Sequence, residues 1–121
     1  MGFYYLINKK TKVVSCTCFG CVTPRDVVGF RQGIMRDNAF DQAFSQVVDF
    51  TKATRIDISP VEAKILAAMN PFSIDSRHAM IFAKNPHQLE LFDLFEATCR
   101  FHGQKGVRRF HRMGASGAYC A

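Results

Sequence analysis

The chain has 121 residues, with 16 Lys and Arg against 10 Asp and Glu for a formal net charge of +6, so one domain with its own core is expected and no staple is required. Its apolar runs all fall short of the roughly 18 residues that span a bilayer. Twelve Phe with no Trp predict a Phe-rich interior. Five Cys, an odd number, predict reduced thiols and a cytoplasmic location, and the N-terminal MGFYYLINKK has its charges after the apolar part, unlike a secretory leader.

Phe3 to Asn8 is aromatic and aliphatic, Asn8-Lys9-Lys10-Thr11 is a polar turn, and Lys12 to Phe19 is apolar and β-branched again. This is the pattern of an antiparallel hairpin with a basic tip, its second strand ended by Gly20. Thr23-Pro24-Arg25-Asp26 then starts a helix: a capping hydroxyl, proline where no N–H is needed, and an acid in the first turn. Val27, Phe30 and Ile34 fall at helical spacing and predict the face laid on the sheet. Gly29 and Gly33, four apart, predict close approach of another backbone and leave a homodimer open.

Phe44 to Phe50 reads as the third strand, with Asp49 near its carboxyl end and a polar connector over Thr51 to Arg55. Ile56-Asp57-Ile58 leads into Ser59-Pro60-Val61-Glu62, a second cap-and-proline start with Glu62 placed for a capping box. The helix behind it runs to about Met69, with Val61, Ile65 and Met69 on one stripe. Arg77 to Ala83 is a fourth strand, Asn85-Pro86-His87-Gln88 a third helix start, and Gly103 closes a helix with a wide apolar stripe ending at His102. Gly106 to His111 is a last strand, and residues 113–121 form a loose or partly helical tail. The order β-β-α-β-α-β-α-β implies a single α/β domain: a mostly parallel sheet with an antiparallel N-terminal hairpin strand, helices packed on it.

Gly20-Cys21-Val22-Thr23, Val47-Val48-Asp49-Phe50, Ala68-Met69-Asn70-Pro71-Phe72 with Arg77-His78-Ala79, and Val107-Arg108-Arg109-Phe110 together resemble the STAS-like domain family. The resemblance is to the small stand-alone bacterial SpoIIAA-like proteins related to anti-sigma-factor antagonists, and it covers nearly the whole chain. It implies a non-catalytic regulatory module that binds a protein partner. In the antagonist branch an Asp-Ser-Ser-Gly motif at a helix N-terminus carries a phosphorylated second Ser. On that pattern Asp57 and Ser59 match, whereas Ile58 and Pro60 depart from it. The partner or phospho-switch face so implied gathers Thr23, Ser59 and Asn85 at the helix starts, with Asp49 and Asp57 beneath them. The resemblance of STAS-like folds to lipid carriers implies an alternative, a small apolar ligand in a pocket at the sheet edge.

Cys16, Cys18 and Cys21 have a spacing at which thiolates can hold zinc. No second pair follows them, and buried thiols are common core filler, so no metal and no cofactor is expected. Cys21 near a helix start is a conceivable nucleophile, but no nucleophile elbow or phosphate loop occurs and no enzyme is expected. Arg100, Lys105, Arg108, Arg109 and Arg112 interleave with Phe101 and Phe110. They read as the solvated side of a helix end and strand, with the two Phe in the core, and no nucleic acid partner is expected.

Overall fold

The computed structural model describes residues 2–83, 86–113 and 118–120. Its elements are β1 (Gly2–Asn8), β2 (Val13–Val22), α1 (Pro24–Met35), β3 (Ser45–Ile56), α2 (Pro60–Ala68), β4 (His78–Phe82), α3 (Pro86–Phe101), β5 (Val107–Met113) and a short β6 (Ala118–Cys120). The α/β order predicted from alternation is present. One sheet carries the strands in the order β1-β2-β3-β4-β5-β6. β2 to β5 are parallel, and β1 and β6 run antiparallel at the two edges.

The hairpin closes as its sequence demands. The Asn8 side-chain oxygen accepts from the N–H groups of Lys10 and Thr11 at 3.0 and 3.1 Å, and Lys12 takes the left-handed φ of 59° that reverses the chain. Both cap-and-proline starts form complete capping boxes. Thr23 Oγ1 accepts from the Asp26 N–H while the Asp26 carboxylate takes the Thr23 N–H. Ser59 and Glu62 repeat the arrangement at α2.

Every parallel crossover steps one strand in the same direction, so right-handed connections lay α1, α2 and α3 on one face of the sheet. Towards them point Val14, Cys16 and Cys18 of β2, Val48 of β3, and Met80 and Phe82 of β4, all buried. They meet Phe30 and Ile34 of α1, Ala67 of α2, and Phe92 and Cys99 of α3 in one core. Phe82 anchors its centre, stacked on Phe50 at 5.0 Å between centroids and edge-on to Phe92 at 5.4 Å. The opposite face shows Tyr4, Leu6, Ser15 and Phe19 to solvent.

Several expectations are corrected. Gly20 does not end β2: with φ 69° it sits at a register irregularity, and the strand continues to Val22. Thr51 to Arg55 is strand rather than connector. β3 keeps pairing with β2 to Ile56 after its ladder with β4 stops at Asp49–Ile81, so this half of the strand has one free edge and is polar for that reason. The Val61-Ile65-Met69 stripe faces solvent, at 66%, 51% and 67% exposed, and Ala63, Leu66 and Ala67 are buried instead. Gly29 and Gly33 admit the Phe3 and Tyr5 rings of β1 rather than a backbone, which removes the motive for a dimer through that face. Phe101 is exposed, not in the core. The tail, expected to be loose or helical, pairs at Ala118–Cys120 with the edge of β5, where unmet backbone groups offer a ladder.

Candidate functional site

Between sheet and helices the core leaves a cavity of about 100 Å³. It lies at the carboxyl ends of β2, β3 and β4, where Val22, Ile56 and Phe82 reach its wall. Cys16, Cys18, Val48 and Met80 form its floor, Phe30, Ala63 and Leu66 part of its helical roof, and Phe92 and Phe95 its α3 side. The first turns of the helices contribute Asp26 and Val27 from α1, Ala63 from α2 and Gln88 from α3. Phe3, Val27, Ile58 and Leu91 are half-buried wall members and mark where the space approaches solvent.

The polar content of this wall is small. Asp26 is engaged by its own cap, taking the Thr23 N–H at 2.9 Å and hydroxyl at 3.1 Å. Arg31, partly buried on α1, donates from Nη1 to the carbonyl oxygens of Leu66 and Met69 at the end of α2. These are acceptors that the helix itself cannot satisfy. Burial holds the Arg31 pKa down to about 10, against a smaller upward pull from Cys99, so it remains a cation at neutral pH. Gln46 is 4% exposed and donates its Nε2–H to His78 Nδ1 at 2.8 Å. Oε1 of Gln46 and Nε2 of His78 have no hydrogen-bond partner among the described residues. Burial, and then the charge of Arg31, bring the His78 pKa down to about 4.

Cys16 and Cys18 stand two apart on the cavity side of β2 and are both buried. The hydrogen bond between them, then burial, pushes the Cys16 thiol far up and keeps it protonated. Cys21 is on β2 itself rather than in a loop, and only partly buried. Among the described residues no three His, Cys, Asp or Glu side chains gather as a metal site would require.

The implied partner face is only partly assembled. Thr23 and Ser59 are N-caps at the same end of the sheet, each occupied in its box. Asp57 is exposed and pairs loosely with Arg55 at 3.4 Å, and its N–H binds the Val22 carbonyl at 2.7 Å, tying β3 to β2. Asp49 is not beneath them. It lies within β3, and its neighbours Val48 and Phe50 face the cavity, so strand alternation turns Asp49 to the helix-free face. There its carboxylate takes the Thr51 N–H at 2.8 Å and hydroxyl at 2.6 Å. Asn85 lies outside the described residues. Of the basic cluster, Arg100 and Arg109 pair with Glu96 and Asp93 of α3. Arg31 and Gln46 were not singled out from sequence; on α1 and β3 they look like an ordinary surface cation and an edge amide.

No family model, curated protein or solved structure matches this chain.

Proposed function

We propose that this chain is a binding protein for a small apolar molecule, held between the sheet and its three helices. The observation that carries the reading is the cavity itself. At about 100 Å³ it exceeds by several-fold the roughly 10–15 Å³ that one water needs. Its wall is apolar apart from a few polar side chains, the composition of a ligand site rather than of a hydrated void. It also sits at the strand ends where α/β sheets bind ligands, although the strand order here never reverses and offers no crevice of the doubly wound kind. The reading assigns binding and no reaction.

The test is a titration of the full chain with 1-hexanol, followed by carbon-13 methyl spectra. Shifts concentrated at Val48, Ile58, Leu66 and Leu91 are expected, together with a non-covalent adduct in the native mass of freshly purified protein that disappears on denaturation. Methyl shifts scattered over the surface, with a bare native mass, would overturn the reading.

A second reading, a STAS-like regulatory module acting through a protein partner, is favoured by one observation. Val61, Ile65 and Met69 form an exposed apolar stripe on α2, immediately after Asp57 and Ser59. A partner captured by the native chain should then be lost with Ile65→Lys and weakened by Asp57→Ala. Retention in both variants would remove it.

A further inference from the structure

Arg31 has more donors than the described residues use. A guanidinium carries five N–H groups, and here both bonds that it donates, to the Leu66 and Met69 carbonyls, come from Nη1. The ion pairs among the described residues belong to Arg55, Arg100 and Arg109, so no carboxylate of a described residue lies within 4 Å of the Arg31 nitrogens. Asp26, the one acid among the described residues of the same wall, spends its carboxylate on Thr23. A cation drawn into an apolar wall without an acid costs free energy that a bound anion would recover. Carboxylates suit the guanidinium fork best, because they accept two parallel N–H bonds.

We propose that the cavity takes a small monocarboxylate, its aliphatic or single-ring body among Cys18, Val48, Leu66 and Phe92 and its carboxylate on the free edge of Arg31. This rests on the reading of the cavity as a ligand site and adds the chemical class of the ligand. The volume limits the body to a short chain or one ring. Asp26 in the same wall disfavours dianions such as phosphate monoesters, which would bring a second charge towards a fixed carboxylate. Gln46 supplies the second polar position. Its amide can be exchanged end for end with a change of His78 tautomer, and in that arrangement its N–H₂, no longer spent on His78, becomes a donor at the cavity wall.

The experiment compares hexanoate with 1-hexanol, equal in chain length and different in head group, by calorimetric titration of the full chain at neutral pH. Hexanoate is expected to bind about tenfold or more tighter, the increment of a charge-assisted hydrogen bond. The preference should fall to near unity in Arg31→Gln. Arg31→Lys, which keeps the charge and can still reach the α2 carbonyls, should preserve part of it. Since Arg31→Gln removes an α2 contact and could unfold the chain, the ratio measured on the native protein decides by itself. Equal affinities for the two probes would overturn the carboxylate while leaving the cavity reading intact. Failure of both probes to bind at millimolar concentration would overturn the cavity reading and this inference together.

Discussion

At the scale of single residues, His78 ties a core position to solution conditions. It is 1% exposed, and its pKa falls to about 4 because burial, and then Arg31, disfavour the charged ring. In the unfolded chain the ring titrates near its ordinary value of about 6.5. Above that pH both states leave it neutral and its contribution to stability is complete. Between about 6.5 and 4 the unfolded state takes up a proton that the folded state refuses, so stability is lost as pH falls through this window; below it both states are protonated. The span corresponds to roughly 3 kcal/mol. Denaturant melts at neutral pH and near pH 4 should show this loss in the native chain and a markedly smaller one in His78→Gln, and parallel losses would refute the assignment. Ser59 offers a second test at this scale. Its hydroxyl caps α2 by accepting the Glu62 N–H at 3.2 Å, so Ser59→Ala should cost about 1 kcal/mol. A neutral substitution would free Ser59 for the switch that the family resemblance implies.

At the scale of elements, local chemistry was legible and orientation was not. Thr23-Pro24 and Ser59-Pro60 announce their helices because capping and proline geometry act within four residues. Apolar and β-branched runs located β1 and β2, and alternation located β4, for the same reason. Which face of α2 packs inward was not legible, because both of its faces are apolar. Val61, Ile65 and Met69 outweigh Ala63, Leu66 and Ala67 in bulk, but the smaller set allows the helix to pack closely in its layer, beside α1 and α3. The second half of β3 was missed because a strand paired on one side reads as polar. Since the side chains of this stripe are at least half exposed, Ile65→Gln with Met69→Gln should change stability by no more than about 0.5 kcal/mol each. A larger loss, or one that depends on protein concentration, would show the stripe buried in an assembly. Gly106 behaves differently. A Cβ there would stand 2.6 Å from the Ser76 carbonyl oxygen, at the point where the Gly106 carbonyl accepts the His78 N–H. Gly106→Ala should therefore cost about 1–3 kcal/mol through forced backbone shifts, read from the same melts.

At the scale of the whole molecule, the layered α/β design followed from element order, whereas the cavity could not be read from it. A void is a property of how side chains from β2, β3, β4 and three helices meet, and no stretch of sequence carries it. Arg31 was invisible for a related reason: its role depends on the end of α2, more than thirty residues away. The cavity also implies a conflict between stability and binding. Empty space in a core forfeits contacts, at roughly 24 cal/mol per Å³ where cavities have been made by truncation. A volume of about 100 Å³ therefore withholds on the order of 2 kcal/mol from the unliganded fold, which a proper ligand would return by mass action. Ala63, buried in the wall on α2, is the position from which to test this. Ala63→Leu should place three additional carbons in the space, raise stability by about 1 kcal/mol and shift Tm upward by several degrees. The same substitution should weaken hexanol and hexanoate together, by at least about tenfold, because it removes the room rather than the charge. A variant that loses stability while binding unchanged would mean that the roof at Ala63 is already closed and the ligand is held elsewhere. Gained stability with lost binding would show a core kept open for an occupant.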